Sequence, residues 1–302
     1  MFSGIEDLEV CVQKNKRIAL EFIMELPTWL ETRLMQVCDL VFALIPQQTP
    51  TLEKLVECKI ISHRGQHDNQ EIFENTLTAF DHALETDGIW GIELDFRWTK
   101  DLYPVVSHDP DLMRLYGSNT RISETKLEDL NRICPHIPTL EEVLQRYGGK
   151  LHLMVEAKEE FYPQPEKQNR ILKELFSQLK PQKDFHLLCL IPEMLKLVTF
   201  TENSAKILVA VFNEKILSDI SLNENYAGLG GHYLLLHRKL VNRNLDCGQN
   251  IGVGYPRSKN NLFREINRGV EWIFCNDAVG LSSILQAELK KAQSLVVEGS
   301  VN

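Results

Sequence analysis

The 302-residue sequence contains no C-x-x-C pair, no glycine-rich phosphate loop and no apolar run approaching the roughly 18–20 residues needed to span a bilayer. Each absence removes a class. The seven cysteines (Cys11, Cys38, Cys58, Cys134, Cys189, Cys247 and Cys275) stand singly, so neither a zinc site nor a disulfide framework is written into the chain. Reduced thiols in a cytosol-like compartment are the expectation. Basic residues are also scarce: 33 Lys and Arg against 42 Asp and Glu leave a net charge of −9. Duplex nucleic-acid affinity comes largely from Lys and Arg neutralising phosphates, so no nucleic-acid partner is expected. A local basic pocket for one phosphate is not excluded. The opening residues, MFSGIEDLEVCVQKNKR, lack the basic-then-apolar layout of a signal peptide, which adds to a cytoplasmic expectation with no transmembrane segment.

What is present is ample apolar material, 43% hydrophobic and 25% charged, at a length that suits one α/β barrel. Residues 1–50 read as an N-terminal helical extension. Leu30, Leu34, Val37, Val41 and Leu44 recur at helical spacing, a second helical stretch covers about 6–26, and QQTPTLEK (47–54) is the joint. The acidic charges of this head favour packing on the body over an anionic lipid surface, while Trp29, Phe42 and Ile45 leave peripheral membrane contact open. Residues 56–295 read as one domain. Short β-rich runs at KIIS (59–62), IELDF (92–96), PVVS (104–107), LHLMVEA (151–157), FHLLCLI (185–191), KILVAVF (206–212), NIGVGY (250–255) and VEWIFC (270–275) are separated by helical patterns or loops. YAGLGG (226–231) adds a further short strand or a turn. Strands alternating with crossover helices imply a parallel sheet, and about eight of them point to a TIM (β/α)8 barrel.

Ionisable residues gather where these strands end, which in a parallel barrel is the face that does chemistry. The first strand ends in His63-Arg64-Gly65: an imidazole able to trade protons at neutral pH beside a planar fork suited to phosphate. On the next strand Glu93 and Asp95 are two apart and share a face, with Ile92, Leu94 and Phe96 on the other. Two carboxylates on an interior face repel and are costly to desolvate, so they call for a cation, and hard oxygen ligands suit Mg²⁺ or Ca²⁺. His108 follows the apolar run PVVS, on a strand neighbouring that of His63, so the two histidines face each other across the mouth as a proton-accepting and proton-donating pair. Glu156 completes a three-carboxylate metal site, and Lys158, on the same face, can neutralise a phosphoryl oxygen.

The string His63-Arg64-Gly65, Glu74-Asn75-Thr76, Glu93-x-Asp95, Asp101-x-x-Pro104-Val105-Val106-x-His108-Asp109, then Leu112, Arg114 and Ile137-Pro138-Thr139-Leu140-Glu141, resembles the glycerophosphodiester phosphodiesterase family over roughly residues 59–280. The resemblance implies a divalent metal on Glu93, Asp95 and Glu156, acid–base catalysis by His63 and His108, and phosphate contacts from Arg64 and Lys158. Glu74 matches the family's acidic position as a polar support near the metal. The implied reaction is hydrolysis of a glycerophosphodiester to sn-glycerol 3-phosphate and an alcohol. Lysophospholipase D or phospholipase-like activity, and a non-catalytic binding barrel, stand as alternatives. Residues 109–138 fall where the family builds a small insertion, here a candidate lid. Phe73, Gly254-Tyr255-Pro256 and Asn276-Asp277 depart from the family pattern, which bears on the substrate pocket.

Overall fold

The apolar runs do fold as strands and the amphipathic stretches between them as helices, in a computed structural model that describes residue 37 and residues 40–299. The strands are β1 (Lys59–His63), β2 (Ile89–Trp98), β3 (Pro104–Val106), β4 (His152–Ala157), β5 (Phe185–Cys189), β6 (Lys206–Ala210), β7 (Gly228–His232), β8 (Asn250–Gly254) and β9 (Trp272–Cys275). The helices are α1 (Leu52–Glu57), α2 (Leu77–Leu84), α3 (Met113–Tyr116), α4 (Leu127–Ile133), α5 (Leu140–Tyr147), α6 (Pro165–Leu175), α7 (Pro192–Leu197), α8 (Glu214–Asn223), α9 (Arg238–Asp246), α10 (Lys259–Asn267) and α11 (Ala278–Gly299). All strands but β3 run parallel in the order β1-β9-β8-β7-β6-β5-β4-β2, and β1 pairs with β2 to close the ring. This is the expected TIM barrel.

One strand departs from expectation. Pro104–Val106 is not a barrel strand and His108 is not on a neighbour of β1. β3 pairs antiparallel with the far end of β2, Phe96 opposite Val106 and Trp98 opposite Pro104. The five intervening residues are far short of the dozen or so that a parallel return requires, so the chain reverses as a hairpin. The glycine-rich run supplies the missing barrel strand as β7.

Period-two alternation sorts the side chains into separate cores. Ile92, Leu94 and Phe96 face outward and pack beneath the helices, whereas Ile61, Met154, Leu188, Ile207, Trp272 and Phe274 fill the barrel interior. The segment 109–138 builds a third small core from Leu112, Ile122, Leu130, Cys134 and Ile137 against Val105. It is therefore a packed excursion anchored on β3. The expected head up to residue 36, with 38 and 39, lies outside the described residues. Residues 40–44 are helical, with Phe42 edge-on to Tyr233 and Asn260 donating to the Ala43 carbonyl at 2.7 Å. Among the described residues no helix is long and apolar enough to cross a membrane.

A buried histidine pair closes the floor of the barrel. His152 donates from Nδ1 to the Lys183 carbonyl at 3.0 Å, so its Nε2 is free to accept from His186 Nδ1 at 2.8 Å. Trp90 stacks on His152 at 4.1 Å. Burial pushes the imidazolium forms down, to about 4 for His152 and about 3 for His186. Both folded-state values lie below the unfolded one. Their contribution is therefore fully present above about pH 6.5 and is lost as pH falls toward 4. Between pH 7 and pH 4.5, urea unfolding should lose on the order of 5 kcal/mol more stability in the wild type than in the His152→Leu/His186→Leu double variant.

Candidate active site

At the C-terminal end of β1 the backbone takes a left-handed step through Arg64 (φ 58) and Gly65 (φ 79). A Cβ on Gly65 would sit 2.8 Å from the Ala79 backbone, so only glycine lets α2 approach here. Each member of the Glu-Asn-Thr triplet then has its own task. Thr76 caps α2 by accepting from the Ala79 N–H. Asn75, left-handed at φ 58, donates from its amide to Asp95 Oδ2 at 2.8 Å and accepts the Asp95 N–H at 3.3 Å. Glu74, buried at 3% exposure, accepts from Arg64 Nη1 at 2.9 Å, Asn69 Nδ2 at 2.7 Å and Arg114 Nη2 at 2.6 Å.

The strand register brings the carboxylates together. His63 is opposite Glu93 on β2, and Asp95 is opposite Glu156 on β4. One oxygen from each of Glu93, Asp95 and Glu156 lies within 4.8 Å of the others. Lys158 Nζ stands 3.1 Å from Asp95 Oδ1 and 2.5 Å from Glu156 Oε1, and Arg64 Nε stands 3.3 Å from Asp95 Oδ2. Burial, then Asp95 and Glu156, push the Glu93 carboxyl well up; burial and Asp95 raise Glu156. At Asp95 burial is overcome by Lys158 and Arg64, which hold the carboxyl below the usual range. Two cations thus face three desolvated carboxylates. A set of hard oxygen donors with unbalanced negative charge fits a divalent cation of the Mg²⁺ or Ca²⁺ kind.

Two imidazoles border this cluster. His63 Nε2 lies 3.7 Å from Glu93 Oε2 and 3.3 Å from the Tyr255 hydroxyl, while its Nδ1 donates to Asn276 Oδ1 at 2.7 Å. Burial, then Arg64, lower its protonated form to about 3. His108 is one-third exposed, and burial lowers it against the opposing charge of Asp95. The Ser107 N–H donates to the Asp95 carbonyl at 2.9 Å and so seats His108 beside the cluster, and all eight residues singled out in the sequence gather at one end of the barrel. Several partners were not among the predicted site residues. Asn276 and Tyr255 arrive from β9 and β8, and Arg97 clamps the His108 carbonyl from the far end of β2. Tyr255 and Asn276 stand at two of the departures from the family pattern. Phe73, a third, packs on Tyr116 of the insertion at 5.3 Å.

Beyond the charges the mouth turns apolar. A cavity of about 210 Å³ runs from His63, Glu93 and Glu156 to Leu188, Val209, Phe212, Gly230, Leu235 and Phe274. Gly254 faces open space, and a Cβ on Gly230 would come no closer than 3.4 Å to Val209, 3.8 Å to the Leu208 carbonyl and 3.9 Å to Ile207, so missing side chains on β7 and β8 make the room.

The sequence profile described as "Glycerophosphoryl diester phosphodiesterase family" matches residues 63–249, more than half of the chain. The chain belongs to this family. A glycerophosphodiester phosphodiesterase of Caldanaerobacter subterraneus is 35% identical over 102 residues, 30% of this chain and 41% of that one. Human lysophospholipase D GDPD1 is 43% identical over 88 residues, 29% of this chain and 26% of its own. The chain thus spans less than half the length of these curated relatives. Solved structures share the fold. The glycerophosphodiester phosphodiesterase of Thermotoga maritima aligns with a TM-score of 0.62 at 22% identity, over 75% of this chain and 98% of that one. An Oleispira antarctica phosphodiesterase in complex with the product sn-glycerol-3-phosphate aligns at 0.64 and 21%, over 76% and 96%.

In this member of the family Glu74 is the hinge of the charged network. Burial would raise its carboxyl, but Arg114 and Arg64 hold it down to about 2. The folded-state value is depressed, so the stabilisation is complete above about pH 4.5 and is lost as pH falls toward 2. Glu74→Gln should cost about 2 kcal/mol in urea unfolding at pH 7, and the gap to wild type should narrow once the pH drops below 4.5.

Proposed function

We propose that this chain is a metal-dependent phosphodiesterase that hydrolyses glycerophosphodiesters to sn-glycerol 3-phosphate and an alcohol. The observation that carries this reading is the convergence of Glu93, Asp95 and Glu156 within 4.8 Å, with His63 Nε2 3.7 Å from Glu93 Oε2 and His108 directly after the Ser107 N–H that donates to the Asp95 carbonyl at 2.9 Å. Glu93, Asp95 and Glu156 would hold a divalent ion, which supplies Lewis-acid stabilisation of a non-bridging phosphate oxygen. Arg64 and Lys158 orient the phosphate and balance its charge. One imidazole, neutral, takes the proton of the attacking hydroxyl, and the other, protonated at Nε2 from solvent before the step, gives that proton to the departing alkoxide. The buried, neutral state of His63 suits an atom that must be free to accept. Family membership and the product-bound relative from Oleispira support the same substrate class.

The apolar cavity favours a second reading within this chemistry, in which the phosphodiester carries a hydrocarbon chain, as in a lysophospholipid. The human relative's name accords with it.

Glycerophosphocholine and a lysophospholipid, each assayed with Mg²⁺ and with Ca²⁺, test both readings. Activity should disappear with EDTA, and His63→Ala and His108→Ala should each lower kcat by about 10²- to 10⁴-fold. Glu93→Gln should abolish divalent binding in calorimetry. Metal binding without turnover of any phosphodiester would replace the enzyme by a binding barrel. Gly230→Leu, which fills the cavity, should depress turnover of the lysophospholipid at least about tenfold while sparing glycerophosphocholine. Equal loss on both would remove the cavity from substrate recognition.

A further inference from the structure

The two imidazoles of the mouth differ in what holds Nδ1. At His63 it is the neutral amide of Asn276, whereas at His108 it is the carboxylate of Asp109, with Oδ1 2.8 Å away. A carboxylate only accepts, so His108 Nδ1 carries the hydrogen, and in the neutral ring Nε2 is left as a bare lone pair. Asp109 is itself held. Its Oδ2 accepts from Arg114 Nε at 2.6 Å, and this contact overcomes burial to keep the carboxyl below its ordinary range. The other edge of the Arg114 fork donates to both oxygens of Glu74, at 2.6 and 3.2 Å. With both edges engaged, the guanidinium cannot swing away from Asp109 without giving up its bidentate hold on the buried Glu74 carboxylate. The backbone of His108 is fixed independently, because Arg97 donates to its carbonyl from Nε at 2.9 Å and from Nη2 at 2.8 Å.

We propose that Asp109 and Arg114 are a positioning pair for His108. Asp109 sets the Nδ1–H tautomer and the ring orientation that leave Nε2 to the reacting oxygen. Arg114 sets Asp109 and ties it to Glu74, and through Glu74 to Arg64. Neither residue needs to touch substrate, since both act through the imidazole. The assignment deepens the phosphodiesterase reading and rests on it for the catalytic consequence, though not for the tautomer.

The test separates the two. In the full chain at neutral pH or above, proton–nitrogen correlation of the histidine rings should show His108 as the Nδ1–H form, assigned by the signal lost in His108→Ala. Asp109→Ala should convert it to the Nε2–H form. With the substrate that the wild type turns over, Asp109→Asn should lower kcat by about 10³- to 10⁴-fold and change KM by less than about threefold, as expected of a wrong tautomer. Arg114→Lys keeps a cation but loses the fork, and should cost about tenfold in kcat. Urea unfolding of each variant at a midpoint near that of the wild type excludes loss of the fold as the cause. A wild-type His108 protonated at Nε2, or an Asp109→Asn enzyme within twofold of wild-type kcat, would overturn the proposal. A locked tautomer in a chain inactive on every phosphodiester would sink the activity and leave the positioning pair standing.

Discussion

Three carboxylates forced onto neighbouring strands of a closed barrel are the constraint from which the rest of the site follows. The register that sets Asp95 beside Glu156 cannot slip by one residue without turning Ile92, Leu94 and Phe96 into the interior. Repulsion and desolvation must then be met locally, and Lys158 and Arg64 do so on either side of Asp95. Those cations are in turn balanced outward. Alternating charge runs from Glu156 through Lys158, Asp95, Arg64, Glu74, Arg114 and Asp109 to His108. Each link is a contact of 3.3 Å or less, and most members serve two neighbours. The buried interior contributes order at the site less through any single ion pair than through this mutual dependence.

Much of this was legible in the residues. Period-two alternation in Gly91–Phe96 identifies which carboxylates share a face, and the clustering of ionisable groups at strand ends marks the working end of the barrel. The motif order supplied the rest of the set. What the residues did not disclose has a physical pattern. The tight turn at Lys100-Asp101 between IELDF and PVVS is legible, but an apolar tripeptide suits a parallel or an antiparallel strand equally, and the short connection decides for the hairpin over a barrel strand. Asn276 and Tyr255 meet His63 across more than 190 residues of sequence, where no local spacing connects them. Asp109 lay in plain view beside His108, yet adjacency alone cannot show that its carboxylate folds back onto the ring. The glycines of YAGLGG read as a short strand or a turn, and the room left by the glycines of β7 and β8 is not legible, because that space exists only once the sheet has curved.

The mouth is divided by chemistry. One side presents charge in a lattice of ion pairs and hydrogen bonds, while the other offers Leu188, Val209, Phe212 and Phe274 around a hollow. On the proposed reading, a phosphate against Arg64 and Lys158 would have polar surroundings on one flank and an apolar wall on the opposite one. Such a division orients a molecule with a charged centre and an oily end without any further contact, since each half would be penalised on the wrong side.

The division is also one of primary structure. The ionic flank is drawn almost wholly from residues 63–158 and the oily flank from residues 188–274, with Tyr255 and Asn276 the links reaching back to His63. Chemistry and fit are therefore inscribed in consecutive lengths of one polypeptide. Drift in the later length can remould the chamber while the earlier length keeps its reagents in register, so a single ring of strands can serve cargoes of different girth.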